Sequence, residues 1–328
     1  MIIDQYISYV RDIRRYSPRT VLLYEEVVRR YAKVVFGTDD VSDDQLIESL
    51  NHAEIRSYEV TLMDEERMSP KSVRLHLSAL SSFCRYLVKE GKQNSNPVRL
   101  VPKPKVEKRL PQFFRNDVLQ HYFTTTEIYA SEDFMKAFSQ APHSKTGKDL
   151  YENRLARLII SMLYSTGLRR SELIALDVED IDFGRKVAKV LGKGNKMREI
   201  PLIVSLCEEI LLYLKAVETL TGEERSLKSP LLVTYSGNRL YPAYVDRTVK
   251  RELGSVKGIT GRKSPHVLRH SLATELMNED ADLNSIKEML GHSSLATTQV
   301  YTHSSFARLK NIYQTAHPRA KNGGKNGD

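Results

Sequence analysis

Apolar residues recur at helical spacing along the chain as far as Gly91, and two Ser-Pro steps, Ser17-Pro18 and Ser69-Pro70, each set a capping hydroxyl before a proline at a predicted helix start. Between Ser69 and Gly91, stepping about 100° per residue gathers Val73, Leu77, Leu80, Phe83, Cys84 and Leu87 on one stripe, with Leu75 the exception. That stripe predicts a core-facing helix. Opposite it lie Lys71, Arg74, Ser78, Ser82, Arg85 and Lys89, cations and hydroxyls suited to phosphate oxygens, although a solvated face is the ordinary reading of such a surface taken alone. From Asn96 to Arg115 the pattern breaks: four prolines and many cations predict an extended basic linker. The polar stretch up to Asn153 predicts a surface loop with some helix at its ends.

Periodicity returns at Asn153 to Ser165, where Leu155, Leu158, Ile159 and Met162 share one side of a helix stopped by Gly167, and Ser171 to Leu176 predicts a short second helix. The runs Val187 to Leu191 and Met197 to Leu202 flank Gly192-Lys193-Gly194-Asn195-Lys196, a hairpin with a cationic tip. Helices follow Cys207, with polar loops at Thr221 to Ser229 and Gly258 to Lys263. Ser264 to Met277 opens on Ser-Pro and carries the apolar row Leu268, Leu272 and Leu276, while Leu283 to Leu290 is a short helix stopped by Gly291.

Composition adds three constraints. At 328 residues the chain accommodates two domains, and 50 Lys and Arg against 41 Asp and Glu, with a pI near 9.3, point weakly to a polyanionic partner. Two cysteines, Cys84 and Cys207, are too few and too far apart for a disulfide framework or a zinc cluster, which fits a reducing cytoplasm. The N-terminus carries charges through its apolar residues, and no stretch approaches the roughly 18 consecutive apolar residues of a membrane span.

Candidate chemistry concentrates near the C-terminal end. His266 and Arg269, three apart near a helix N-terminus, make a ready anion site, because free backbone N–H groups, the helix dipole and a guanidinium combine there. His292 sits at the turn after Gly291, and Tyr301 follows nine residues later. A helical tyrosine is ordinarily packing, and chemistry alone does not select one of seventeen.

The motifs TGLRRSEL, GKGNK, HVLRH, LGHSS and YTH, spread in this order from Thr166 to His303, resemble the tyrosine recombinases, most closely the bacterial Xer recombinases, with phage and transposon integrases as cousins. The resemblance implies that Arg169 and Arg269 bind the scissile phosphate, that Lys193 is the hairpin lysine, that His266 and His292 fill the two histidine positions, and that Tyr301 is the nucleophile. It implies a mainly α fold in two domains: a four-helix-type, SAM-like DNA clamp over residues 1–95, joined by the linker 96–115 to a mostly α catalytic domain with a small antiparallel sheet over 116–318. Residues 319–328 are expected to be a disordered tail, and Ser304 to Gln314 is the candidate segment exchanged with a neighbour. One departure is that Asn116 to Leu150 is longer than the Xer pattern requires.

The activity so implied is cleavage and rejoining of double-stranded DNA at a recombination site, without metal, ATP or other cofactor. The expected partners are a tetramer with itself or a paralogue and, for chromosome partition during the cell cycle, a septal DNA translocase. Integration or inversion of a mobile element, a catalytically silent DNA-binding accessory protein and a type IB topoisomerase are the alternatives. A metalloenzyme fits poorly: His266 and His270 lie four apart, but Val267 and Leu268 stand where a helical zinc hydrolase wants its glutamate.

Overall fold

The computed structural model describes residues 1–38, 40–106, 112–192, 196–259, 261–278, 282–291 and 319. The chain forms two compact units, Met1–Arg109 and Leu110–Asp328. It is mainly helical. Among the described residues no helix is long and apolar enough to cross a membrane.

The first unit contains α1 (Ile2–Ser8), continued by a π turn at Tyr9–Ile13, then α2 (Pro18–Phe36), α3 (Asp43–Ser49), α4 (His52–Val60) and α5 (Pro70–Lys89). Helix starts follow the local chemistry: Ser17 accepts from the Thr20 N–H, Ser42 and Gln45 form a reciprocal capping box, and Ser69 accepts from the Ser72 N–H. The α5 stripe of Val73, Leu77, Leu80, Phe83, Cys84 and Leu87 is fully buried, and Leu75 is exposed. Burying each of its larger side chains contributes roughly 1.5–3 kcal/mol before entropy is counted. On the opposite face Lys71, Arg74, Ser78, Arg85 and Lys89 are exposed. Ser82 is not: it is buried where the Tyr6 ring packs against Phe83 and Tyr86.

The expected linker is anchored at both ends. Pro97–Leu100 is a 3-10 turn whose Val98, followed by Val101, fills the first unit's core, and Asn96 Nδ2 donates to Ser81. Beyond residues 107–111, which are not described, Phe114 is buried in the second unit and its N–H donates to Ser271 Oγ. Apolar residues among the prolines explain the difference, since each finds a core to enter. The stretch 116–150 is likewise helical: α6 (Asn116–Thr125), a 3-10 turn at Glu127–Ala130, α7 (Glu132–Gln140) and the start of α8 (Lys145–Thr166). Leu119, Tyr122, Phe123, Phe134 and Phe138 bury against α8, so the segment belongs to the core and is no surface loop.

The second unit is built around α8. Every residue from Arg154 to Thr166 is buried, because α10 (Val204–Thr221), α11 (Pro242–Gly254) and α12 (Pro265–Asn278) pack around it. A short α9 (Arg170–Ala175) follows, then the antiparallel sheet of β1 (Ile181–Asp182), β2 (Val187–Leu191) and β3 (Met197–Pro201) in the order β1-β2-β3. Helix α13 (Leu283–Leu290) ends at Gly291, which has positive φ. Arg319, expected in a disordered tail, is buried: its guanidinium donates to Glu209 at 2.5 Å and lies 4.0 Å from the Phe123 ring centroid. The rest of 320–328, and the candidate exchange segment Ser304 to Gln314, lie outside the described residues.

Candidate active site

Helix α8 stops at Gly167, whose φ of 64° turns the chain sharply, and a Cβ there would sit 2.5 Å from Leu290 Cδ2. The turn therefore brings the end of α8 close against the end of α13. Two residues later Arg169 occupies the N-cap of α9, and its backbone N–H donates to Glu172 Oε2 at 2.8 Å. The Arg169 side chain also binds Glu172, Nη1 to Oε1 at 2.7 Å, and donates through Nη2 to the Gly291 carbonyl at 2.8 Å. Arg269 reaches the same place from α12: Nη1 donates to the Gly167 carbonyl at 2.6 Å and Nη2 to the Leu290 carbonyl. Two guanidinia are thus held by consecutive carbonyls at the C-terminal end of one helix, where the dipole favours cations.

A third arginine stabilises the arrangement. Arg198 on β3 faces inward because it pairs in register with buried Val190 and lies two residues from buried Ile200. Its Nη2 and Nη1 grip the two Glu172 oxygens at 2.8 and 3.1 Å, and its Nε donates to the Met289 carbonyl at 3.0 Å. Burial works to raise the Glu172 carboxyl, but hydrogen bonds from Arg198 and the Arg169 backbone outweigh it and hold the pKa below the ordinary carboxylate value. Glu172 is therefore ionised at neutral pH. Burial, with the Arg169 and Arg198 charges, pushes Arg269 down to about 10, still charged at neutral pH. Three guanidinia against one carboxylate leave a surplus positive charge, so the cluster attracts an anion.

His266 lies one turn before Arg269 on α12 and is exposed. Partial burial, His270 and the Arg170, Arg269 and Arg262 charges hold its pKa below the usual histidine value, so it is neutral and able to accept a proton at neutral pH. Among the described residues no third ligand joins His266 and His270 in a metal-binding group. Of the residues singled out in the sequence, Arg169 and Arg269 come together, with His266 on the same helix as Arg269. Lys193, His292 and Tyr301 lie outside the described residues, although Gly192 and Gly291, which immediately precede two of them, both approach the Arg198 guanidinium. Glu172 and Arg198 escaped the sequence reading. A glutamate three residues after an N-cap was the available signal for one, and an arginine in phase with inward Ile200 for the other.

In the first unit, Lys71, Arg74, Ser78, Arg85 and Lys89 line the exposed side of α5. Ser78 Oγ donates to the Arg74 carbonyl, and Lys89 lies 3.5 Å from a Glu90 oxygen and 4.5 Å from the Tyr9 ring centroid. None is buried or fixed by a strong partner, so the face is adaptable, and Arg85 also lines a cavity of about 430 Å³ with Val88, Ser95, Asn96, Arg99 and Leu100.

Comparisons with known proteins bear on both units. Residues 131–308 match the phage integrase family, and residues 3–91 match the phage integrase N-terminal SAM-like domain. Tyrosine recombinase XerC of Chlorobaculum parvum is 36% identical over 325 residues, covering 97% of this chain and 94% of that protein. Among solved structures, the fold is similar to XerH site-specific recombinase bound to palindromic difH substrate in a post-cleavage complex. That match has a TM-score of 0.64 at 18% identity over 95% of this chain and 84% of that one. A lambda integrase tetramer bound to a Holliday junction gives 0.59 at 18% identity over 91% and 79%. The family matches and the XerC identity together mean that this chain belongs to the phage integrase, or tyrosine recombinase, family of DNA recombination enzymes, and is Xer-like by homology.

Proposed function

We propose that the chain cleaves and rejoins double-stranded DNA at a specific site through a 3′-phosphotyrosine link to Tyr301, and that its natural role is resolution of chromosome or plasmid dimers in the cytoplasm. The observation that carries the reading is the convergence of Arg169 and Arg269 on the carbonyls of Gly291 and Leu290, with surplus positive charge around one buried carboxylate. A phosphodiester under attack concentrates charge on its nonbridging oxygens, and two fixed guanidinia answer that charge.

In this reading the Tyr301 oxygen attacks phosphorus as its phenolic proton passes to a neutral histidine, for which His266 has the right protonation state. The P–O5′ bond breaks, and the leaving 5′-oxygen takes its proton from Lys193, while His292 helps hold the phosphate. The new phosphate ester conserves the energy of the broken one, so the free 5′-hydroxyl of another strand reverses the step and restores Tyr301. That balance calls for neither ATP nor a metal. The α5 cations Lys71, Arg74, Arg85 and Lys89, with Ser78, are proposed to hold DNA phosphates. The proposed working assembly has four subunits on two sites, formed with itself or a paralogue, in keeping with the tetramer seen for lambda integrase on a Holliday junction. Coupling to chromosome partition brings in a septal DNA translocase.

The test is to incubate the wild type and Tyr301→Phe, in chelator, with nicked half-site duplexes from the source genome, including its replication-terminus site. A denaturation-resistant adduct with the wild type alone is the expected result. Adduct formation by Tyr301→Phe, or none by the wild type on DNA that it binds, overturns the assignment. An adduct on mobile-element ends but not on the terminus site replaces dimer resolution with integration.

A further inference from the structure

Resting on the recombinase reading above, we infer that Arg198 is a positioning residue for strand cleavage: it acts through Glu172 and the end of α13 to hold the hairpin root and the His292 turn in register with the phosphate-binding arginines.

Arg198 uses its whole fork on the protein. Nη1 and Nη2 take both oxygens of Glu172, Nε takes the Met289 carbonyl, and only 9% of the side chain is exposed. It has no planar pair of donors left for DNA, so its contribution is made through its neighbours. Those neighbours are the elements bearing the chemistry. Glu172 is shared with Arg169, which it holds by both backbone and side chain. Met289 lies two residues before Gly291, whose carbonyl anchors Arg169, and Leu290 between them anchors Arg269.

Two glycines show how closely the chain wraps this guanidinium. A Cβ at Gly291 would meet Arg198 Cζ and Nη1 at 3.2 Å, and a Cβ at Gly192 would meet Arg198 Nη1 at 3.0 Å. Gly192 closes the hairpin root by donating to the Lys196 carbonyl at 2.8 Å and immediately precedes Lys193, while Gly291 immediately precedes His292. One rigid planar group thus lies between the backbone leading into the hairpin lysine and the backbone leading into the second histidine. Displacement of either backbone disturbs the Glu172 fork, and through it Arg169. A lysine in its place keeps the charge but cannot bind two carboxylate oxygens and a carbonyl in one plane. Small misplacements of this kind cost rate far more than affinity, because the geometry matters only when the phosphate reacts.

The test compares the wild type with Arg198→Lys, Arg198→Ala, Glu172→Gln and the double variant Arg198→Lys/Glu172→Gln on a nicked half-site duplex that yields the Tyr301 adduct. Melting temperature, DNA affinity and the adduct rate at saturating DNA are read for each. Arg198→Lys is expected to stay folded and to bind DNA within about threefold of wild type, yet to form adduct about tenfold or more slowly. Adding Glu172→Gln should then cost little more, because the two changes break one linkage. Should Arg198→Ala fail to fold, the lysine variant and its double decide the matter. A lysine variant that reacts within about threefold of wild type, or losses that multiply in the double variant, overturn the inference. An unreactive wild type on bound DNA removes the recombinase reading and this inference with it, whereas a reactive wild type with unaffected Arg198 variants removes this inference alone.

Discussion

The two units of this chain solve the burial problem differently. The first is a set of one-sided helices: apolar stripes face inward, most charges face water with Glu59 a buried exception, and its buried polar groups are few and mostly find partners within the unit, as where Tyr31 donates to the Ser49 carbonyl and Tyr58 meets His76 Nδ1. In the second, charge goes inside. Among the described residues every buried arginine, namely Arg154, Arg157, Arg269 and Arg319, belongs to the second unit, as do Glu172 and Glu209. Burying an ion without a partner is costly, so these groups come in clusters that occupy their terminal nitrogens and oxygens, with Nε of Arg154 and Arg157 left without a hydrogen bond. Glu209 receives Arg157, Arg319 and Ser161, and Glu172 receives Arg169 and Arg198. A helical surface can hold DNA with exposed cations, whereas reaction of a phosphodiester calls for cations whose positions are fixed beforehand. In the proposed reading, the difference between the units is the difference between binding and chemistry.

The strongest way to break that comparison is at Arg269. Replacing it with alanine removes one proposed phosphate donor and the tie between the Gly167 and Leu290 carbonyls. Adduct formation at saturating DNA should fall by about a hundred- to thousandfold, and a loss below about tenfold would mean that the site is not preorganised in this way. Next in size is stability. Glu209→Leu strands Arg157 and Arg319 around an apolar group and should destabilise the second unit by about 3–5 kcal/mol. By contrast Glu59→Gln in the first unit, where the carboxylate is buried but its partner Arg56 is half exposed and is solvated once the pair is lost, should cost less, about 1–2 kcal/mol. Since the chain contains no tryptophan, hydrogen exchange resolved by peptide is the suitable measurement, and it reports each unit separately. Equal costs at the two positions would erase the distinction drawn above.

The same contrast governs what was legible in advance. Helix α5 could be read nearly residue by residue, because its stripe and its caps obey one rule each, and only Ser82 crossed over, covered by an aromatic residue from a distant helix. Helix α8 showed one apolar side but is surrounded on all sides, and its arginines gave no hint of burial because their partners come from α10, from α6 and from the 3-10 turn that follows α6. The stretch 116–150 looked polar, yet its aromatics at helical spacing sit in the core. At the site, motif order singled out Arg169 and Arg269 as a pair, while the linkage through Glu172 and Arg198 depends on a strand register and two glycine approaches that no local pattern encodes.

Acid should separate the units by a smaller effect, with the sign set by which state binds protons more readily. Glu172 and Glu209 are both held below the ordinary carboxylate value, so they bind protons less readily folded than unfolded. Their contribution is complete above about pH 4.3 and is lost as pH falls through the lower folded values. His76 in the first unit is held below the usual histidine value by burial and by Arg30, against the opposing charges of Glu66 and Glu26. The unfolded chain takes up that proton near pH 6.5, so the first unit weakens from about pH 6.5 downward, while in the second unit His266, also held low but exposed to solvent, adds a smaller loss over the same range before the carboxylates titrate. Hydrogen exchange between about pH 7 and pH 5 should therefore report more loosening in α4 and α5 than in α8, after correction for the intrinsic exchange rate. His76→Gln should flatten the early step, and a first unit whose stability stays level over that range would show that His76 is not held neutral by the fold.

Smallest are the effects on the α5 face, where the comparison makes its sharpest quantitative claim. If Arg74, Arg85 and Lys71 hold phosphates only as exposed charges, each alanine substitution should weaken DNA binding modestly and alike on specific and random sequence, and should reduce the slope of log affinity against log salt by about 0.9. The adduct rate at saturating DNA should not change, since none of these side chains belongs to the arginine cluster of the second unit. A substitution here that slowed cleavage of fully bound DNA would make the first unit part of the chemistry, and the division between a surface that binds and an interior that reacts would have to be given up.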